Sequence, residues 1–382
     1  MNIGFFCNNL DPNFGGSERV THTISESLVK RGYNCFFIYS SQDYSSIEEE
    51  RKIKIDIKEA RNSLAKDISF FVSHNKIKVL IVVNLIYQTK KFQKIYQKLK
   101  KEYDVKIVAC LHAAPDNWCK HDDIRYVLPH IYIKNLLKRY LCNIYNRNRV
   151  QAVGMYNLCD RYVLLSKRYI PTFEKTFKID DSIGKKLYAI PNPCPFEGER
   201  QYTLKRKEVL IVSRMSEIQK RIFYALKIWK GLSSGTNDWK LIIVGDGPEL
   251  KYYKRYVKIS GLNNVRFEGA SSHVEEYYKR ASIFMMTSIW EGQPMTLIES
   301  MHYCCVPIVM DSFESVHDFV VDKVNGEICK YNDIEDYSNR LKILLENDQI
   351  VNKYRENIKN KLMYNNSDIV SMWIELLNSV VV

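Results

Sequence analysis

The chain alternates short apolar runs with segments whose apolar residues recur at helical spacing, from its first residues to its last. Apolar runs separated by helical patterns are typical of parallel β-sheets with helices on their faces. In the first half, the predicted strands are Asn2–Cys7, Asn34–Tyr39, Lys78–Asn84, Lys106–Leu111 and Tyr162–Ser166. In the second half they are Glu208–Val212, Leu241–Val244, Val265–Glu268, Ser282–Thr287 and Pro307–Met310. The pattern predicts an α/β fold.

The alternation stops once, at the proline-rich segment AIPNPCPFEGER, and then begins again. A chain of 382 residues is long enough for two domains. We therefore predict one domain over residues 1–195 and a second over residues 196–365, each a doubly wound, Rossmann-like sheet. Ligands of such sheets bind at the carboxyl ends of the strands, so we expect the two domains to face a central cleft.

Composition excludes several classes of protein. No run reaches the roughly 18 apolar residues of a membrane span. The N-terminal MNIGFFCNNL has too short an apolar stretch and no basic lead, so we expect a first strand there and not a signal peptide. The ten cysteines show no C-x-x-C and no metal-ligand spacing, and Cys304 and Cys305 are adjacent. This usage predicts a reduced, cytoplasmic protein with buried thiols.

The formal net charge of +13 favours an anionic partner. Segment 89–101 contains six lysines and no acid, and segment 125–149 is also basic, aromatic and free of acids. The apolar residues of the first segment recur at helical spacing: Phe92, Ile95, Tyr96 and Leu99. Both segments are typical of helices lying on an anionic membrane, although an ordinary surface helix turns the same stripe towards its own core. No nucleic-acid motif accompanies the charge, so we predict a peripheral protein on the inner face of the cytoplasmic membrane and no nucleic acid.

The segment EGQPMTLIE, residues 291–299, places two carboxylates eight positions apart after the apolar run ASIFMMTS. Pro294 suits the first position of a helix, where its missing N–H costs nothing. The free N–H groups and the dipole at a helix start form a site for a phosphate. Glu291 precedes the predicted helix and Glu299 lies within it, so both can reach one ligand. The same spacing also occurs between glutamates that are only solvated charges.

Other chemical groups follow predicted strands. Gly15 and Gly16 follow the first strand, where glycines let backbone N–H groups approach a phosphate or sugar, although a plain tight turn has the same pattern. Arg214 and Lys220 follow the first strand of the second half, and two cations beside a helix start suit a diphosphate. His112 ends the strand VKIVACLH, where a structural role and a position facing the cleft both fit.

The G-x-G of IVGDGPEL is not a dinucleotide fingerprint, because a third glycine is missing and Pro248 opens the next helix. We interpret Gly245 and Gly247 as turn residues near a nucleotide.

These motifs, in their order along the chain, resemble those of glycosyltransferase family 4: GGSERV, IVSRMSEIQKR, IVGDGPEL, VRFEGASSHVEEYYKRA and EGQPMTLIE. The resemblance spans nearly the whole chain and is closer over residues 208–326. It implies a GT-B fold in which the first domain binds the acceptor and the second binds the nucleotide-sugar. It also implies that the final segment, within 366–382, is a helix that crosses back onto the first domain. Ser213, Arg221 and Phe313-Glu314 depart from the glycines of the family pattern.

The resemblance implies roles for individual residues. Arg214 and Lys220 would stabilise the leaving diphosphate, Glu291 would hold hydroxyls of the donor sugar, and His112 would position the sugar or acceptor. Together these four form the expected catalytic group. The expected substrate-binding residues are Gly15, Gly16, Gly245, Val274, Gly292, Pro294, Met295, Thr296 and Glu299. Among them, Glu299 would accept hydrogen bonds from the ribose.

The function implied is retaining transfer of a hexose-type sugar from a nucleotide-sugar, with UDP favoured over GDP. The expected acceptor is a lipid-linked glycan in surface polysaccharide biosynthesis. No D-x-D ends an apolar strand, so neither a metal nor a cofactor beyond the nucleotide-sugar co-substrate is expected. A sugar-nucleotide epimerase of the same fold remains an alternative. So does a non-catalytic partner subunit, which would be expected to lack Glu291, Arg214 or Lys220.

Overall fold

A computed structural model describes residues 1–12, 14–41, 43–83, 88–116, 133, 144–196, 204–232, 238–360 and 365–381. These residues form two compact units. The first contains residues up to 116, 144–195 and 365–381, and the second contains the remainder, chiefly 196–360. No helix in the described ranges is long and apolar enough to cross a bilayer.

The first unit is built on a parallel seven-stranded sheet with the strand order β3-β2-β1-β4-β5-β6-β7. Its strands are β1 Asn2–Phe6, β2 Asn34–Tyr39, β3 Lys52–Lys54, β4 Val79–Val82, β5 Lys106–Leu111, β6 Arg161–Leu164 and β7 Leu187–Ala189. The central strands are almost wholly apolar because helices cover both faces of such a sheet. The helices that follow them are α1 Gly16–Val29, α2 Arg61–His74, α3 Lys90–Tyr103, α4 Ile144–Leu158 and α5 Tyr169–Phe177.

The second unit is built on a parallel six-stranded sheet with the order β10-β9-β8-β11-β12-β13. Its strands are β8 Arg206–Val212, β9 Lys240–Val244, β10 Val265–Gly269, β11 Ala281–Met286, β12 Val306–Met310 and β13 Glu327–Cys329. Its helices are α6 Glu217–Lys220, α7 Ile222–Leu232, α8 Leu250–Ile259, α9 Val274–Arg280, α10 Met295–His302, α11 Val316–Phe319, α12 Ile334–Glu346 and α13 Asp348–Asn360. Both sheets therefore have the doubly wound, Rossmann-like architecture that the sequence predicts.

The last helix, α14 (Asn366–Val381), belongs to the first unit, where it packs on α1. Asn366, its first residue, accepts a hydrogen bond from the Cys194 N–H at 2.9 Å and donates one to the Cys194 carbonyl at 2.7 Å. The buried face of α14 includes Ile369, Trp373 and Leu377. The predicted return of the final helix to the first half is confirmed.

Helix α3 carries the first basic segment and turns its apolar stripe into the first unit. Phe92, Ile95, Tyr96 and Leu99 are at most 3% exposed and belong to the hydrophobic core. The predicted contact of this stripe with a membrane is therefore wrong, because the stripe is already buried and stabilises the fold. The opposite face carries four exposed lysines: Lys90, Lys94, Lys98 and Lys101. Most of the segment 125–149 lies outside the described residues.

All eight described cysteines are free thiols, and only Cys194 is more than slightly exposed. The prediction of small buried thiols holds for this part of the chain. Burial raises the pKa of the Cys35 thiol to about 12, which keeps it protonated and unreactive at neutral pH.

Candidate active site

The second sheet has its topological switch point between β8 and β11. These two strands are neighbours, but the next strands along the chain from each, β9 and β12, lie on opposite sides of the pair. Loops at the carboxyl ends of such strands diverge and leave a crevice where ligands bind. The loop after β8 carries Arg214 and leads to Lys220 at the end of α6, and the loop after β11 carries Glu291.

Lys220 and Glu291 meet at this switch point. The Lys220 Nζ lies 2.5 Å from Glu291 Oε1, and the two side chains are only 13% and 8% exposed. Gln219 Nε2 donates to the other carboxylate oxygen, Oε2, at 3.3 Å, and to the Trp290 carbonyl at 3.1 Å. The carboxylate is therefore held from two sides by one turn of α6.

Backbone contacts fix this turn against the end of β11. Thr287 Oγ1 donates to the carbonyls of Lys220 and Arg221, at 2.9 and 3.1 Å, and the Ile289 N–H donates to the Gln219 carbonyl at 2.9 Å. Arg221 has a φ of +51°, in the left-handed region that glycine favours. The family pattern has glycine here, and the fully buried Arg221 instead anchors its guanidinium on the Asn332 amide oxygen.

Helix α10 carries the second carboxylate. Glu299 is 1% exposed, and Tyr278 of α9 donates its phenol hydrogen bond to Glu299 Oε2 at 2.8 Å. Met295 and Thr296 are the first two helical residues. Pro294 precedes them as the N-cap, with a φ of −72° and a ψ of 114°. The prediction that Pro294 occupies the first helical position is therefore wrong by one residue, because its ψ lies far outside the helical range.

The two glycines of IVGDGPEL allow the loop after β9 to approach the loop after β8. Gly245 has a φ of +134°, and a Cβ there would lie 1.9 Å from the Ser213 carbonyl oxygen. Gly247 has a φ of +156°, and its Cβ would lie 2.6 Å from the Met215 carbonyl oxygen. The glycines thus hold the backbone on either side of Arg214, whose side chain is exposed.

Two buried serines tie the loop after β12 to the loop after β11. Ser315 Oγ donates to the Gly292 carbonyl at 2.7 Å, and Ser312 Oγ donates to the Ser288 carbonyl at 2.5 Å. Gly292 is itself buried. The segment that departs from the family glycines at Phe313-Glu314 is therefore anchored by hydroxyl groups on both sides.

Val274, the remaining predicted residue of this unit, is the first residue of α9 and is half-buried.

Three predicted residues lie in the first unit, at the carboxyl ends of β1 and β5. Gly15 is the N-cap of α1 and Gly16 its first residue. A Cβ on Gly15 would lie 2.7 Å from a carboxylate oxygen of Glu18, which also accepts from Ser17 Oγ at 2.8 Å. His112 directly follows β5, and burial lowers the pKa of its imidazole to about 4, so the ring is neutral at physiological pH.

The structure also reveals residues that sequence reasoning did not single out: Gln219, Tyr278, Ser312 and Ser315. The first two contact the predicted carboxylates directly, and the serines support the loops around them. Gln219 directly precedes Lys220 and was open to inference from that position. The others act across 21 to 24 positions of sequence, and no local pattern marks them.

Comparison with known proteins places this site in a family context. Residues 197–361 match the family model of "Glycosyl transferases group 1". Over nearly its whole length, the chain is 25% identical to a Haemophilus influenzae protein named "Uncharacterized glycosyltransferase", with 98% of this chain and 99% of the relative covered. It is 23% identical to the Erwinia amylovora "Amylovoran biosynthesis glycosyltransferase AmsD", with 96% and 97% covered.

A third relative is a Campylobacter jejuni enzyme at 22% identity, with 100% of this chain and 99% of the relative covered. It is named "GalNAc-α-(1→4)-GalNAc-α-(1→3)-diNAcBac-PP-undecaprenol α-1,4-N-acetyl-D-galactosaminyltransferase". Among solved structures, Anabaena HepE in complex with UDP and glucose shares the fold with a TM-score of 0.74 at 14% identity, covering 99% of this chain and 100% of HepE. The fold is therefore GT-B. The protein is a glycosyltransferase enzyme, and its residues 197–361 match the model of group 1 glycosyl transferases.

Proposed function

We propose that this glycosyltransferase is a retaining, metal-independent hexosyltransferase. Its donor is a nucleotide-sugar, with UDP favoured over GDP, and its acceptor is a lipid-linked glycan in surface polysaccharide biosynthesis. The observation that carries the proposal is the Lys220–Glu291 pair at the switch point of the second sheet. It places a cation and a carboxylate side by side where a sugar diphosphate needs both.

The cations of this site suit the leaving group. As the bond from the anomeric carbon to the diphosphate breaks, negative charge grows on the phosphate oxygens. In this proposal Lys220 exchanges part of its contact with Glu291 for those oxygens, and Arg214 and the N–H groups at the start of α10 add to the stabilisation. Each preorganised donor of this kind contributes roughly 3 kcal/mol to the transition state. The proton of the acceptor passes to the departing phosphate.

The carboxylates suit the polar ends of the donor. Glu291, released in part from Lys220, accepts from hydroxyls of the donor sugar, and Glu299 accepts from the ribose hydroxyls. The donor is also lined by backbone and side-chain groups of six further residues of the second unit: Gly245, Val274, Gly292, Pro294, Met295 and Thr296. In the first unit, Gly15 and Gly16 offer backbone N–H groups, and the neutral His112 positions the sugar or the acceptor.

The choice of donor and acceptor draws on the relatives. Anabaena HepE was solved with UDP and glucose, which supports a UDP-sugar. The Campylobacter jejuni relative is named for an undecaprenol-linked glycan, and the Erwinia amylovora relative for amylovoran biosynthesis. A lipid-linked acceptor requires access to a membrane surface, and the exposed lysine face of α3 supplies charge that attracts anionic lipids.

The test is thermal unfolding of the protein with UDP, GDP, ADP and TDP. A nucleotide at 100-fold its dissociation constant stabilises the folded state by about 2.7 kcal/mol, which raises the melting temperature by a few degrees. We expect UDP to give the largest shift and Glu299→Ala to abolish it. Glu335→Ala, a change at an exposed glutamate of α12, serves as the control and should leave the shift intact. Equal melting temperatures with and without every nucleotide would contradict the proposal.

A further inference from the structure

Tyr278 makes a contact that the proposed mechanism does not use. Its phenol donates to Glu299 Oε2 at 2.8 Å, from the neighbouring helix α9. Tyr278 has no exposed surface and Glu299 is 1% exposed. A hydrogen bond to a carboxylate that is buried from solvent is stronger than one at the surface, because little water competes for the carboxylate.

Tyr278 is itself held in place at both ends. Its carbonyl accepts from Lys205 Nζ at 2.7 Å, and its ring lies parallel to the ring of Tyr303, with centroids 6.4 Å apart and 6° between planes. The ring of Phe196 packs edge-on against the Tyr278 ring, with the two centroids 6.4 Å apart. The phenol is therefore a fixed donor, and the carboxylate that accepts from it has a defined orientation.

We propose that Tyr278 is a positioning residue that aims the Glu299 carboxylate at the ribose of the bound nucleotide and thereby sets selectivity for ribose over deoxyribose. The inference rests on the proposed function, in which Glu299 accepts from the ribose hydroxyls. A carboxylate has about four acceptor positions, so the hydrogen bond from the phenol leaves others for the ribose hydroxyls. Fixing its orientation in advance removes part of the entropy that binding otherwise costs.

The neighbouring Tyr303 offers a matched control. It belongs to the same aromatic cluster, but its phenol donates to Glu275 Oε1 at 2.7 Å, a different carboxylate. Tyr278→Phe and Tyr303→Phe each remove one hydroxyl and keep the ring. Only the first removes a donor from Glu299.

The experiment is calorimetric titration of the full-length chain with UDP, 2′-deoxy-UDP and 3′-deoxy-UDP. We expect the wild-type protein to bind UDP about tenfold more tightly than at least one deoxy analogue. A factor of about ten in the dissociation constant is what the loss of one hydrogen bond to a charged group produces. Tyr278→Phe should weaken the binding of UDP and leave the binding of that analogue unchanged. The preference for UDP over the analogue should therefore nearly disappear. Glu299→Ala should abolish it as well, and Tyr303→Phe should preserve it. Glu299→Asp, which moves the carboxylate away from both the phenol and the ribose, should reduce the preference as Glu299→Ala does.

The outcomes separate the two proposals. Loss of the preference in Glu299→Ala but not in Tyr278→Phe overturns the role of Tyr278 and leaves the proposed function standing. Equal weakening of all three nucleotides by Tyr278→Phe also overturns it, since that result indicates a general structural effect. A wild-type protein that binds UDP without any preference over the deoxy analogues overturns the ribose role of Glu299 and this inference with it.

Discussion

At the scale of single residues, Glu217 is a carboxyl group buried without charge in α6, the short helix that ends at Lys220. It begins α6, three positions before Lys220, and has no exposed surface. The Tyr253 hydroxyl and the Phe223 N–H both donate to its Oε2, at 2.7 and 3.0 Å. Burial raises the pKa of Glu217 to about 8, and the two hydrogen bonds, which lower the pKa, offset only part of this effect. The side chain therefore retains its proton at neutral pH.

This burial predicts a pH-dependent stability. The pKa of Glu217 is higher in the folded protein than in the unfolded chain. Its contribution to the free energy of unfolding is therefore fully present below pH 4.5 and is lost as the pH rises towards 8. Glu217→Gln mimics the protonated form. It should raise the free energy of unfolding at pH 8 by roughly 4 kcal/mol relative to wild type, and by less than about 1 kcal/mol at pH 5. Urea denaturation at both pH values measures the difference. An identical pH dependence in wild type and Glu217→Gln would contradict the assignment, and Glu346→Gln at an exposed position is the control.

Individual residues also show where sequence reasoning stops. Lys220 and Glu291 are both recognisable from their motifs, because each follows a predicted strand in a family-like segment. Their contact at 2.5 Å joins residues 71 positions apart and depends on β8 lying next to β11. Arg221 has a left-handed backbone although it is not glycine, and the contacts of its carbonyl with Thr287 and of its guanidinium with Asn332 hold it across 66 and 111 positions of sequence.

At the scale of elements, the long apolar strands were predictable and the short edge strands were not. β3, β7 and β13 have three residues each, and β3 and β7 form the two edges of the first sheet while β13 forms one edge of the second. Three residues are too few to show a period, so no pattern distinguishes them from loops. Helix α3 shows the converse case: its amphipathic pattern is clear, but the pattern does not reveal which surface covers the apolar stripe.

The exposed face of α3 leads to a prediction about membrane binding. Changing Lys90, Lys94, Lys98 and Lys101 to Gln removes four positive charges without touching the buried stripe. Binding to anionic vesicles should fall by at least tenfold, because each basic residue near such a surface contributes about 1 kcal/mol. Co-sedimentation with vesicles of phosphatidylglycerol and phosphatidylcholine measures it.

The control for this experiment lies on α8 of the second unit, which also has four exposed basic residues. They are Lys251, Lys254, Arg255 and Lys258, and all change to Gln in the control variant. The two variants carry the same net charge, so only the location of the charge differs between them. If both variants lose vesicle binding equally, the lysine face of α3 has no specific role.

At the scale of the whole molecule, the last helix closes the first unit on residues far away in sequence. The side chain of Asn366 binds both backbone groups of Cys194, across 172 positions. Asn366→Ala removes both hydrogen bonds and leaves a partly buried N–H and carbonyl without this partner. We expect a loss of about 1–3 kcal/mol in the free energy of unfolding.

Guanidinium denaturation followed by tryptophan fluorescence measures this loss, since Trp373 on α14 is buried. Asn378→Ala, at an exposed position of the same helix, provides the control. Equal denaturation midpoints for Asn366→Ala and wild type would show that this contact does not hold the helix.

The sequence by itself determined the local features of this protein: the alternation of strands and helices, the doubly wound sheets, and the identity of the charged groups at the strand ends. These features follow from periodicity and from residue chemistry, which act within a few positions. Tertiary structure alone decided that α3 buries its apolar stripe, that Glu291 lies between Lys220 and Gln219, and that Glu299 accepts from Tyr278. Each of these depends on which elements become neighbours in space, and the free energy of burial that selects the neighbours belongs to the packed core and to no single segment.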